Sequence, residues 1–177
     1  MSQSREGLAE GEAFRRAWEV ARRFLRYRPR SEAEVRRRLA RDTFPPPVVS
    51  LVIEGLQEGR LIDDIAFARL WRENRESFNP RSRRLLAWEM AAKGIPPSVI
   101  EDACHDLDDE VSAYRAATKR VLRLPEKEDY AVFMTRLSPY LRRRGFDYGV
   151  IEAVLQRLWQ ERRLASGPTE EETSLEE

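Results

Sequence analysis

Cysteine and histidine each occur once, side by side, as Cys104 and His105. A thiol beside an imidazole can do nucleophilic catalysis when the ring takes the thiol proton. Here Cys104 falls in the same column of a 51-residue repeat as Ile53 and Leu155. It therefore reads as a small buried apolar residue, and His105 as a surface one. One cysteine forms no internal disulfide, and one of each residue cannot assemble a Cys/His zinc set. The acids that follow, Asp106, Asp108, Asp109 and Glu110, lack the glycine and spaced oxygen ligands of a calcium loop. They read as a solvated linker whose carboxylates suit the start of the next helix. The 8 glycines are scattered, without a phosphate-cradling loop or a dinucleotide fingerprint. An enzyme is the weakest class for this chain, and no cofactor or metal is expected.

What the chain carries in quantity is arginine. Its 177 residues hold 32 basic and 31 acidic side chains, a formal net charge of +1, which argues against a polycation that coats nucleic acid by net charge. The distribution is segmented. Residues 14–44 carry eleven arginines against four carboxylates, whereas Glu101 to Glu110 carries six carboxylates and no Lys or Arg. The candidate contact residues for an anionic partner or phosphate are Arg22, Arg23, Arg26 and Arg30, then Arg36, Arg37, Arg38 and Arg41 on a second helix. Arg81, Arg83 and Arg84 open the corresponding helix one repeat later, and Arg142, Arg143 and Arg144 close the next. Arginine stems also cover apolar surface, so any one of these residues is explained by a solvated helix face, and only their clustering points further. Trp18, Trp71, Trp88 and Trp159 could be platforms for single-stranded bases, but Trp18 and Trp71 sit on apolar helical faces and read as core.

The elements that position these groups follow from the repeat. Leu39, Met90 and Leu141 are spaced by 51 residues, as are Phe44, Ile95 and Phe146, then Val49, Ile100 and Ile151, and Leu56, Leu107 and Leu158. Within each unit the spacing is helical, as in Val48, Leu51, Val52 and Leu56. Ser31 with Glu34 makes a capping box, Asp63 and Asp147 are N-caps, and Pro46 and Pro97 suit a first helical turn. Gly94 and Gly145 read as C-cap glycines, while Thr43 stands in that column in the first unit. A helix precedes each such pair. The expected fold is all-α: three tandem three-helix, helix-turn-helix-like repeats, stacked in an elongated, curved arrangement because units of about 50 residues bury little alone. The expected boundaries are a flexible N-terminus at 1–11, repeats at 12–58, 59–108 and 109–163, and an acidic disordered tail at 164–177. A tandem reading of DNA bases is disfavoured, because residues 48–58 contain no Lys or Arg and residues 97–107 are acidic. The longest nearly apolar run, Val48 to Ile53, is too short for a bilayer, and no signal segment opens the chain, so a cytoplasmic monomer is expected.

Four stretches carry a family likeness: Arg30 to Leu39 (RSEAEVRRRL), Gly59 to Ala68 (GRLIDDIAFA), Lys93-Gly94-Ile95-Pro96 and Arg144-Gly145-Phe146-Asp147. In this order and spacing the chain resembles the bacterial regulatory protein RecX family over about residues 14 to 163. It departs from the family at Thr43, where a turn glycine is usual, and at Pro45, Pro46 and Pro47. The resemblance implies a non-enzymatic negative regulator that binds the RecA filament on single-stranded DNA and inhibits its ATPase and strand exchange in recombinational repair and the SOS response. It implies no cofactor. On this reading the arginines meet acidic recombinase surface or exposed DNA phosphate, with many modest contacts adding through multivalency and weak direct DNA binding allowed. The rival classes are a non-sequence-specific DNA-binding helical module, marked by a steep salt slope on bare DNA, and a helical adapter that ignores both DNA and recombinase.

Overall fold

The computed structural model describes residues 2–125 and 128–165, and the acidic tail expected from 164 lies, from 166 on, outside them. All described regular structure is helical: α1 (Ser2–Leu25), α2 (Glu32–Arg41), α3 (Pro46–Glu58), α4 (Asp64–Phe78), α5 (Arg83–Ala92), α6 (Pro97–Cys104), α7 (Asp109–Val121), α8 (Tyr130–Arg142) and α9 (Tyr148–Ala165). The chain is an all-α helical repeat. Helix α1 begins at Ser2. Among the described residues no helix is long and apolar enough to cross a membrane.

The caps form as their residue types dictate. Ser31 Oγ accepts from Glu34 N at 3.2 Å and the Glu34 carboxylate accepts from Ser31 N at 3.3 Å, a complete capping box. Asp63 Oδ1 accepts from the amides of Ile65 and Ala66, both at 2.9 Å, and Asp108 Oδ1 does the same for Glu110 and Val111. Helices α3 and α6 open on Pro46 and Pro97 without a side-chain cap, since proline has no orphan amide to satisfy there.

The second helix of each group ends in one recurring turn. Thr43, Gly94 and Gly145 all have left-handed φ, at 61°, 81° and 86°. Behind each, the next residue's amide reaches back to the first column of the repeat: Phe44 N to Leu39 O at 3.3 Å, Ile95 N to Met90 O at 3.2 Å, Phe146 N to Leu141 O at 3.4 Å. These are Schellman caps, and their apolar residues Leu39, Met90, Ile95, Leu141 and Phe146 are buried. The glycines have a second reason to be glycine. A Cβ on Gly94 would lie 2.3 Å from the Ala33 Cβ, and one on Gly145 would lie 2.6 Å from Ser82 Oγ and 2.7 Å from the Leu85 Cβ. Thr43 is exposed, so it meets the conformational demand and escapes the steric one.

Two compact units result. Of the described residues the first comprises 2–72 and 87–105, the second 73–86, 106–125 and 128–165, so the chain passes between them within α4, within α5 and after His105. The first is built on Ala17, Ala21, Val35, Leu39, Val52, Ile53 and Leu56, with Phe14 and Trp18 packed against them. A Cβ at Gly55 would come within 3.0 Å of the Trp18 ring, so the missing side chain lets α3 approach α1. The second is built on Ala113, Ala116, Ala117, Phe133, Leu137, Leu141, Ile151 and Leu155. Trp159 lies against it, with its ring 5.2 Å from that of Phe133. Cys104 is buried, as its column requires, while His105 is exposed.

Replacing Gly94 with alanine combines left-handed strain with overpacking against Ala33, and is expected to destabilise the chain by about 2–4 kcal/mol in urea or thermal unfolding. Thr43→Gly, which relieves strain at an open position, is expected to stabilise it by up to about 1 kcal/mol in the same measurement.

Candidate functional site

The arginines divide by what the fold already asks of them. In the first unit, Arg37 donates from Nε to Ala33 O at 3.1 Å and from Nη2 to Lys93 O at 3.2 Å, clamping the end of α5 onto α2. Lys93 O also accepts from Ser31 Oγ at 2.6 Å. Arg36 Nε donates to Glu32 at 2.5 Å, and Arg38 Nε to Asp42 at 3.1 Å. The Arg30 guanidinium lies 3.9 Å from the centre of the Phe24 ring, and that of Arg38 lies 5.8 Å from it. In the second unit, Arg144 stacks 3.8 Å over Tyr140, donates from Nη2 to Asn79 at 2.8 Å and accepts at its carbonyl from Ser82 N at 3.0 Å. Burial, with the charges of Arg81, Arg120 and Arg143 adding to it, lowers the pKa of Arg144, and Tyr140 opposes the shift. These residues are joinery. The two turns are received alike, the Lys93-Gly94 turn by Ser31 and Ala33, the Arg144-Gly145 turn by Ser82 and Leu85.

A second group has no such employment. Among the described residues, Arg22, Arg23, Arg26, Arg41, Arg142 and Arg143 are exposed and make no side-chain ion pair with this chain. Their position at or just past the ends of α1, α2 and α8 is favourable in itself, because cations suit the negative end of a helix dipole. Arg83 and Arg84 stand at the opposite end, in the first turn of α5, where the dipole disfavours a cation. The Arg83 amide donates to Asp109 Oδ1 at 2.6 Å, and Arg84 meets Asp147 only at 3.8 Å, both side chains being 79% exposed. Arg81 is half-buried.

The arginines of α2 border a depression of about 380 Å³ lined by Phe24, Glu34, Arg37, Arg38, Arg41, Ala92 and Lys93. Lys93 and Phe24 are not among the candidate contact residues, although Lys93 opens the Lys93-Gly94-Ile95-Pro96 stretch. The signal for Lys93 was its column, which it shares with Arg144. For Phe24 there was none, because its role is to seat Arg30. Glu34 is held from several sides: Arg28 donates to it at 2.7 Å and 3.1 Å, and Lys93 Nζ at 3.3 Å. Burial pulls the Glu34 pKa upward, but the hydrogen bonds from Arg28 and the Ser31 amide, with the charges of Arg28 and Lys93, outweigh it and leave it below the usual glutamate value. Asp64 accepts from Glu32 N at 2.9 Å, yet burial and the neighbouring carboxylates Glu32, Asp63 and Glu34 raise its pKa. Of the tryptophans, Trp71 donates from Nε1 to Glu89 at 3.0 Å and stacks on Phe67, while Trp88 is 67% exposed. Among the described residues no group of three or more His, Cys, Asp or Glu is placed to hold a metal ion.

Fold and surface together define an all-α protein of tandem three-helix domains with cationic helix ends and no catalytic constellation among the described residues. Residues 17–56 match the first three-helix domain of RecX and residues 63–103 its second. The regulatory protein RecX of Mycobacterium marinum is 36% identical over 146 residues, 79% of this chain and 83% of that one. That of Prosthecochloris aestuarii is 30% identical, over 81% and 94%. The relative from Geobacillus thermodenitrificans is 31% identical over 93% of this chain, which spans 60% of that longer protein. The crystal structure of RecX from Lactobacillus salivarius superposes with a TM-score of 0.67 over 84% of this chain and 97% of that one, at 21% identity, a likeness of fold. The chain belongs to the RecX family.

Because the pKa of Glu34 is depressed in the fold, its ionised form contributes stability above the ordinary glutamate range, and that contribution is lost as pH falls through the depressed value. Glu34→Gln is therefore expected to cost about 1–3 kcal/mol near neutral pH. The gap between the two proteins should close progressively in acid, as followed by urea unfolding at a series of pH values.

Proposed function

We propose that this chain is a non-enzymatic regulator that binds the RecA recombinase filament on single-stranded DNA and restrains its ATP hydrolysis and strand exchange, in recombinational repair and the SOS response. It works as a cytoplasmic monomer without a cofactor, with repeats at 12–58, 59–108 and 109–163 as its modules. The partner class comes from the RecX likeness. The observation that carries the reading is a set of exposed guanidinium groups that, among the described residues, pair with no carboxylate, including Arg22, Arg23, Arg26, Arg41, Arg83, Arg142 and Arg143, on a chain of net charge +1. Such a chain gains little from naked DNA by bulk attraction, and its local patches suit a partner that presents both signs of charge in fixed register. Arg83 and Arg84 belong in the contact set for a further reason. They stand against the dipole of their own helix, so a partner carboxylate or phosphate returns what the fold does not. Arg36, Arg37, Arg38, Arg30 and Arg144 take part less directly, through the charge they hold near the surface while tied to the chain. Arg81 flanks them.

The test is single-stranded-DNA-dependent ATP hydrolysis by the host recombinase, titrated with this chain, beside binding to bare DNA at the same salt. Inhibition is expected at concentrations where bare DNA is barely bound. Reversing Arg83 and Arg84 to glutamate should raise the half-inhibitory concentration by about tenfold, the loss of two partly exposed charge contacts of roughly 0.7 kcal/mol each. Absence of inhibition removes the reading. Full inhibition by the reversed variant removes these two residues from the contact set.

A further inference from the structure

We propose that the depression beside the last turn of α2 in the first unit is a preformed site for a phosphoryl group. This site stands independently of any recombinase. Four cationic side chains, Arg37, Arg38, Arg41 and Lys93, line it against the single carboxylate of Glu34. That carboxylate is shared between Lys93 of the lining and Arg28 outside it, and Arg38 pairs with Asp42, so Arg37 and Arg41 carry the charge the depression leaves uncompensated.

The cations are also fixed in advance. Arg37 is held by the carbonyls of Ala33 and Lys93, which are neutral acceptors that orient its guanidinium and leave its charge uncompensated. Arg38 spends Nε on Asp42, which leaves its two terminal nitrogens to donate elsewhere, and Lys93 is steadied 3.3 Å from Glu34. Arg41 is exposed at the end of α2, free to close on a ligand. For Arg37, Arg38 and Lys93 the ordering is a cost the fold has met before any ligand arrives. The carbonyl at the end of α5 that would repel an anion is covered, since Lys93 O accepts from both Ser31 Oγ and Arg37. Guanidinium forks match tetrahedral phosphoryl oxygens with paired, charge-assisted hydrogen bonds. The volume of about 380 Å³ admits a diphosphate or one step of a nucleic-acid backbone. Phe24 walls the site and already carries Arg30 over its ring. The recognition is therefore of phosphoryl oxygen, carried either by a nucleic-acid backbone or by a free phosphorylated compound. Lys93 belongs to the turn that docks on α2, so a bound anion would also tighten that junction and raise the stability of the unit.

The experiment uses the full chain at constant ionic strength, with sodium pyrophosphate as the probe in thermal unfolding and equilibrium titration, and labelled oligo-dT in anisotropy. A saturable rise in Tm with pyrophosphate is expected. Arg41→Gln, at an exposed position that leaves the core untouched, should weaken pyrophosphate binding by about tenfold, the worth of one charge-assisted bond. Arg69→Gln, on the exposed surface of α4, should leave it unchanged. Displacement of oligo-dT by pyrophosphate in the parent chain, lost in R41Q, assigns the site to a nucleic-acid backbone. Saturable pyrophosphate binding without displacement assigns it to free phosphorylated compounds. A Tm rise matched by sodium chloride at equal ionic strength, or an R41Q titration superimposable on that of R69Q, overturns the proposal.

Discussion

The left-handed turn that closes the second helix of each group is the constraint on which the rest of the molecule depends. An α-helix that stops leaves carbonyls without partners, and a Schellman turn satisfies them only if one residue adopts positive φ. At Gly94 and Gly145 this local requirement coincides with a tertiary one, because the turn is seated against Ala33 in one case and against Ser82 and Leu85 in the other. A hydrogen in place of a methyl group lets the backbone approach the neighbouring helix start closely enough for hydrogen bonds to form. Ser31 Oγ then reaches Lys93 O, and Ser82 N reaches Arg144 O. Each of the two compact units contains one of these seated turns beside its own apolar core.

The same turns organise the charge. Because the second helices end where arginine and lysine are dense, docking brings cations and helix-terminal carbonyls together, and part of the arginine content is consumed as structure. Arg37 caps the end of α5, Arg144 stacks on Tyr140, and Lys93 joins Arg28 around Glu34. What is left for a partner is smaller and better defined than the composition implies. It consists of exposed guanidinium groups at helix ends, together with a depression in which neutral carbonyls hold Arg37 and carboxylates steady Arg38 and Lys93. Charges held in this way keep their long-range field while losing little rotamer freedom when a ligand binds.

The sequence by itself determined what local chemistry decides. The 51-residue columns located the helices and their buried faces, the burial of Cys104 followed from its column, and the capping box at Ser31 and the cap at Asp63 were legible because each satisfies amides within a single turn. The exposed arginine clusters were visible too, since charge density is a property of composition. Tertiary structure decided which of those arginines serve the fold. The Lys93 carbonyl that receives Arg37 lies more than fifty residues away, and the stack under Arg30 depends on how α1 leads into α2. It also resolved Thr43, whose side chain is exposed, whereas the Cβ positions of Gly94 and Gly145 are occupied by neighbours. A local rule can state that a residue must take positive φ. Only the assembled helices determine whether there is room there for a side chain, because steric exclusion acts between segments the sequence places far apart.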